Sequence, residues 1–207
     1  MPDFDDLPFD ERPDLSRFLV HLTKNTKAKN GKSAYRNLLS ILRSGKINGS
    51  TSAKGFIKGK YSATCFMDIP LHCLKYVLDR DNADPADPRY EACGVLVQKP
   101  YAYKMGCRPV LYLSNAELKK LSLPDDELWR VVRFEVKENS WISWLHEREW
   151  RCMGDFQLPA KPLAVVVRDT KHAVKLRDEI GKHPKKFKAK PKSFIPLTVL
   201  CEGLPYL

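Results

Sequence analysis

Short apolar runs rich in β-branched residues alternate along this chain with a few stretches of helical spacing. FLVHLT (18–23) is bracketed by polar residues and reads as a buried strand carrying His21. In AYRNLLSILRSGKI, Leu38, Leu39, Ile41 and Leu42 recur at helical spacing, and Gly45 stands where a left-handed terminal residue is expected. The spacing predicts a helix over 33–44. NGSTSAKGFIKGK is loop chemistry and leads into YSATCFMDI, a second strand. IPLHCLKYVLDR predicts a short helix and DNADPADPRY a loop. GVLVQ (strand), PYAYKMG (helical turn) and RPVLYLS (strand) follow, then a polar stretch of helical character from Asn115 to Glu127. WRVVRFEV and WISWLHEREWRC alternate as half-buried strands do; LAVVVRD reads as a strand, HAVKLRDEIGK as a helix and FIPLTVLCE as a final strand. The elements predict one α+β domain over 18–207, preceded by a Pro/Asp-rich acidic arm over 1–17.

Composition changes this picture little. A chain of 207 residues with 43% hydrophobic residues can bury a core unaided, and no apolar run reaches the roughly 20 residues that span a bilayer. The acidic start is unlike a secretory or mitochondrial leader, so a cytoplasmic protein without membrane attachment is expected. The six cysteines are scattered, without a CxxC pair or zinc spacing, and read as reduced core residues. Charge matters more. The net charge is +11, yet the first 14 residues are rich in carboxylates, while 24–60 and 182–192 hold Lys and Arg with no Asp or Glu. Such patches suit an acidic partner, nucleic acid above all, or serve simply as a solvated face.

Candidate chemistry concentrates in WLHEREWRC (144–152). On a strand, Glu147 and Glu149 share one face and Arg148 and Trp150 the other. Paired carboxylates repel, which suits one of them to bind or activate hydroxyl groups; the alternative is a solvated face neutralised by Arg130, Arg133 or Arg151. His21, inside an apolar strand, needs a hydrogen bond or a ligand. No His spacing suggests a metal site. GxSxG, GxGxxG and GxxxxGK[ST] are all missing, which argues against serine hydrolases, Rossmann enzymes and P-loop enzymes.

Taken in order, HLT (21–23) before NLLSILRSGKI, CFMDIPL (65–71), YEACGVLV (90–97), KMGCRPVLYLS (104–114) and HEREWRC (146–152) resemble the AbiGi-type abortive-infection proteins and a related bacterial domain family of unknown function. The likeness spans about 18–170 and departs from the family where its YG is YEACG here. Those families are similar in layout to ADP-ribosyltransferases, including DarT-like toxins and RNA 2′-phosphotransferases. The resemblance implies an ADP-ribosyltransferase-like split, mostly antiparallel sheet with flanking helices and NAD as substrate. It implies His21 and Thr23 on the ribose, Tyr61, Ser62 and Thr64 as candidates near the nicotinamide, Glu149 on a ribose hydroxyl, and Glu147 choosing or activating the acceptor.

Cleaving the nicotinamide bond builds positive charge on the ribose, so a fixed carboxylate there favours the transition state over the ground state. The resemblance thus leads to the expectation of a phage-defence or toxin–antitoxin effector that modifies nucleic acid or a nucleic-acid-associated protein, with His21 and Glu149 facing each other within about 10 Å across a cleft. An acidic antitoxin or chaperone would complement the basic surface. The alternatives are a binding module for nucleic acid or a partner on the same fold without catalysis, and hydrolysis of NAD itself or a nuclease-like activity.

Overall fold

Strand β1 (Phe18–Leu22) and helix α1 (Ala34–Ser44) form where the apolar spacing places them. Ser33 caps α1 by accepting a hydrogen bond from the Arg36 N–H, and Gly45 closes it at φ 69°, returning its N–H to the Ile41 carbonyl. The computed structural model describes residues 14–26, 31–51, 53, 57–78 and 90–201. Most of the expected acidic arm and of the loop over 81–90 lies outside the described residues.

The chain continues through β2 (Lys46–Ile47), β3 (Ala63–Met67), α2 (Leu74–Val77), β4 (Gly94–Gln98), α3 (Lys99–Lys104), β5 (Arg108–Pro109), β6 (Leu111–Leu113) and α4 (Asn115–Leu121). It then forms β7 (Val131–Arg133), β8 (Glu135–Lys137), β9 (Ser140–Ile142), β10 (Glu149–Met153), β11 (Phe156–Gln157), β12 (Ala164–Val167), α5 (Thr170–Lys182), β13 (Ser193–Pro196) and α6 (Leu197–Leu200). Seven strands make the main sheet in the order β13-β12-β4-β1-β3-β10-β5. Every pairing in it is antiparallel except β12 with β13. The fold is the expected α+β class, a mostly antiparallel sheet with flanking helices.

Both faces of the sheet are covered. On one, Leu19, Phe66, Val95, Val97, Val165 and Val167 pack against Leu38 and Leu42 of α1 and Leu176 and Ile180 of α5. On the other, Val20, Met67, Leu96 and Val166 pack against Leu74 and Val77 of α2 and Leu197 of α6. This double burial explains why GVLV and AVVV are continuous apolar runs rather than alternating ones.

Three expected strands are broken, each for a local reason. RPVLYLS divides after Pro109: β5 pairs with the edge of the main sheet, while β6 pairs in parallel with β7. FIPLTVLCE ends its strand at Pro196, which lacks an N–H, and turns into the short helix α6. WISWLHEREWRC is interrupted by a 3-10 turn over Leu145–Glu147, and its first part pairs with β8 instead.

The sheet has one thin junction. Strand β1 pairs with β4 over its whole length but with β3 only at Val20 opposite Met67.

Candidate functional site

The EREWR segment changes direction within one residue. After the 3-10 turn, Arg148 adopts the left-handed conformation (φ 45°, ψ 52°), and β10 begins at Glu149. Strand alternation therefore does not relate Glu147 to Glu149; a turn stands between them. Both side chains are buried, at 3% and 7% exposure. Burial first, and then both carboxylates, push the Tyr112 hydroxyl and the Cys65 thiol to higher pKa, so the two acids act on the same small volume.

Glu149 is held rigidly. Arg151 donates from Nε to Oε1 at 2.9 Å and from Nη2 to Oε2 at 3.1 Å, a two-point contact between residues that point to the same face of β10. The remaining guanidinium nitrogen donates to the carbonyls of Trp129 and Val131, at 2.8 and 3.2 Å. Burial alone would lower the Arg151 pKa, but Glu149 and Cys65 more than offset it and raise it. The Glu149 N–H donates to the Tyr112 hydroxyl at 3.0 Å. Glu147 accepts from the Tyr90 hydroxyl at 3.2 Å. Near the turn that bears it lies a hollow of about 290 Å³ lined by Ile69, Cys73, Tyr76, Val77 and His146.

A second buried charge centre lies on the opposite face. Lys99 Nζ is 2.7 Å from Asp68 Oδ1, a charge contact rather than an aligned hydrogen bond, and the Trp150 indole donates to Asp68 Oδ2 at 3.1 Å. Arg148 reaches the same carboxylate at 3.9 Å and donates to the Asp14 carbonyl at 2.6 Å.

Register decides the place of His21. Val20 lies opposite Met67, and Met67 opposite Glu149, so these three share a face. His21, next to Val20, projects to the other face, where its ring meets Phe66 edge-on at 5.8 Å. The expected confrontation of His21 with Glu149 is therefore absent; an odd step in register separates them. The imidazole occupies the seam between β1 and β3, with Nδ1 2.8 Å from the Cys65 carbonyl. Burial lowers its pKa, and the Cys65 bond opposes this only in part, so the ring is held neutral.

The other expected ribose and nicotinamide contacts are dispersed. The Thr23 hydroxyl is buried and shared between the carbonyls of Ala34 and Cys93, tying β1, α1 and β4 together. The Thr64 hydroxyl donates to Gly154, and the Ser62 carbonyl accepts from the Gly154 N–H. Tyr61 packs with Trp129, Ile57 and Ala63, on the face that carries Arg151 and Glu149. Of the expected residues, Glu147 and Glu149 both act on Tyr112 and Cys65.

Sequence reasoning passed over Arg151 as a fixed partner, Tyr112, Tyr90 and the Asp68–Lys99 pair. Asp68 did leave a signal: a carboxylate inside the apolar run CFMDIPL must find a cation or donors once buried. Among the described residues, no group of three or more His, Cys, Asp or Glu is placed to hold a metal ion, and no helix is long and apolar enough to cross a membrane.

No protein-family model matches the chain. No curated protein matches it either. Among solved structures it is similar to Thermus sp. 2.9 DarT in complex with carba-NAD+, at 14% identity, with 89% of this chain and 97% of that chain covered and a TM-score of 0.47.

Proposed function

We propose that this chain is an NAD-using ADP-ribosyltransferase-like enzyme whose working groups are Glu149 and Glu147. One observation carries the reading: two buried carboxylates flank the turn into β10, both near enough to Tyr112 and Cys65 to act on them, and one is fixed by a two-point contact to Arg151. In the reaction the bond from the ribose to nicotinamide breaks, and positive charge develops on the sugar. A carboxylate that needs no reorganisation stabilises that charge as it forms. Glu149 fills this role, and Glu147 takes the proton from the acceptor as it bonds to the ribose. His21 belongs to the scaffold in this reading, as the group that fills the β1–β3 seam.

The acceptor class is nucleic acid or a nucleic-acid-associated protein, supported by the net charge of +11. Phage defence in the cytoplasm is the setting, resting on the ordered motifs shared with the abortive-infection proteins. An acidic antitoxin or chaperone is the protein partner that this charge suits.

A second reading has its own observation. Arg151 engages both oxygens of Glu149, as it would in a chain that retains the scaffold only as a binding module without catalysis. Incubation with labelled NAD and separate pools of DNA, RNA and lysate protein separates the two. Transfer of label that is lost in Glu149→Gln and reduced in Glu147→Gln establishes the transferase and its acceptor class. Intact NAD and unlabelled pools, with nucleic acid still bound, leave the binding module.

A further inference from the structure

The segment after α5 is pinned to the core yet presents a bare row of cations. From 186 to 192 burial alternates strictly: Phe187, Ala189 and Pro191 are buried, whereas Lys186, Lys188, Lys190 and Lys192 are exposed. Backbone bonds fix it along its length. Lys188 and Ala189 donate to Arg43 and Leu42 at the end of α1, and Lys190 and Lys192 donate to Ala160 and Pro162 before β12. None of the four lysines has an ion-pair partner among the described residues. Lys182 and Lys185 stand exposed at its start, and the whole stretch 182–192 holds no carboxylate.

We propose that this row is a docking rail for the phosphate backbone of a nucleic-acid strand. Lys186 ends a 3-10 turn and the chain bends at Lys188 and Lys192, so the four ammonium groups stand on a short, kinked stretch held against α1 and the segment before β12. The long, flexible lysine stems let each ammonium reach a phosphate of one strand without a fixed register. The aromatic ring within the row, Phe187, is buried, so the rail grips phosphate and reads no base. Every nucleotide of a strand carries a phosphate, whereas acidic side chains recur on a protein only where its sequence places them, and the backbone bonds mean that little chain entropy is lost on binding. The inference deepens the acceptor class proposed above and rests on that reading for its role, but not for binding.

The test is binding of fluorescent single-stranded and duplex oligonucleotides, and of poly-glutamate, over a salt series, with the wild type and a variant carrying Ala at 186, 188, 190 and 192. Four lost phosphate contacts lower the slope of log K against log salt by roughly 3. The expected result is that loss for oligonucleotides, with far-UV circular dichroism unchanged. An unchanged slope in a folded variant overturns the rail, as does poly-glutamate binding that outcompetes both oligonucleotides. NAD turnover is followed separately, so failure of catalysis and failure of docking stay distinguishable.

A different observation carries a second inference. Register pairs Pro109 with Trp150 and Arg108 with Arg151, which sets Cys107 directly opposite Cys152. The Val110 N–H bonds Glu149 and the Cys107 N–H bonds Ala102, so the cysteines occupy a non-hydrogen-bonded position. Cα atoms at such positions are about 4.5 Å apart, within the range a disulfide bridges. The two thiols are near enough to perturb each other's ionisation, and Cys152 Sγ donates to the Met105 carbonyl at 3.2 Å. Both are buried, but β5 is a two-residue edge strand, which frays more readily than the strands inside the sheet.

The geometry points to a reversible Cys107–Cys152 disulfide that fastens this edge to β10. A small disulfide such as glutathione disulfide supplies the oxidation. The Cys152 thiolate forms the mixed disulfide and releases one thiol, then Cys107 displaces the second, and the two protein thiols give up two electrons and two protons. Native protein is incubated with glutathione disulfide, alkylated and mapped by mass spectrometry. The expected product is 2 Da lighter, as loss of two hydrogens requires, with 107 and 152 in one cross-linked peptide pair; Cys107→Ser instead accumulates the glutathione adduct. Stable adducts at Cys65 or Cys73 while the pair stays alkylatable overturn the proposal.

Discussion

Replacing Arg151 by Met tests the central argument about the site. Arg151 is 3% exposed, and its guanidinium donates twice to Glu149 and once each to the Trp129 and Val131 carbonyls. Met preserves the aliphatic volume and removes all four. The cost is dominated by the stranded Glu149 carboxylate, since breaking a buried pair from one side destabilises by about 3–5 kcal/mol. For a chain of this size that lowers the melting temperature by roughly 6–20 °C. Removing both charges recovers part of the loss, so Glu149→Gln with Arg151→Met is expected to show a coupling of about 1–3 kcal/mol. Urea denaturation of wild type, both single variants and the double variant, in one buffer, measures the cycle. A loss below about 1 kcal/mol for Arg151→Met, or additive single effects, refutes the claim that this pair is rigid, buried and mutually dependent.

Three further outcomes are expected. His21 has its pKa lowered by burial, so the unfolded chain takes up protons more readily once pH falls below about 6.5. Stability is therefore fully present above that value and lost progressively as pH falls below it, and His21→Gln flattens this part of the urea-midpoint profile. Gly94→Ala places a Cβ 2.4 Å from the His21 carbonyl oxygen, a backbone atom that cannot swing away, and should cost about 1–3 kcal/mol in thermal unfolding. Ser122→Gly relieves a left-handed serine (φ 47°) at the exposed end of α4 and should stabilise by about 0.5–1 kcal/mol in the same assay.

Local rules recovered α1 with its Gly45 terminus, β1, β3, β4, β12 and α5, because each is decided by spacing within a dozen residues. The failures lie where distant strands compete for the same backbone. Nothing local in RPVLYLS says that its halves join different sheets, since β10 and β7 make that choice. The site was half legible for the same reason. The carboxylates of EREWR announced themselves, but whether His21 could reach them depended on the parity of two registers across three strands. Arg151 was visible only as one of several basic neighbours until Trp129 and Val131 supplied its other acceptors.

The single Val20–Met67 pairing has a mechanical meaning. A sheet resists bending along lines where several ladder bonds cross and yields where few do. The β13-β12-β4-β1 half and the β3-β10-β5 half are therefore two stiff plates joined along a compliant crease, with the His21 imidazole as a shim. Flexing at that crease changes the dihedral between the plates while leaving the packing inside each intact. The Thr23 tie to α1 belongs to one plate and the Glu149–Arg151 pair to the other, so the placement of the carboxylates relative to the rest of the sheet rests more on side chains packed across the junction than on ladder bonds.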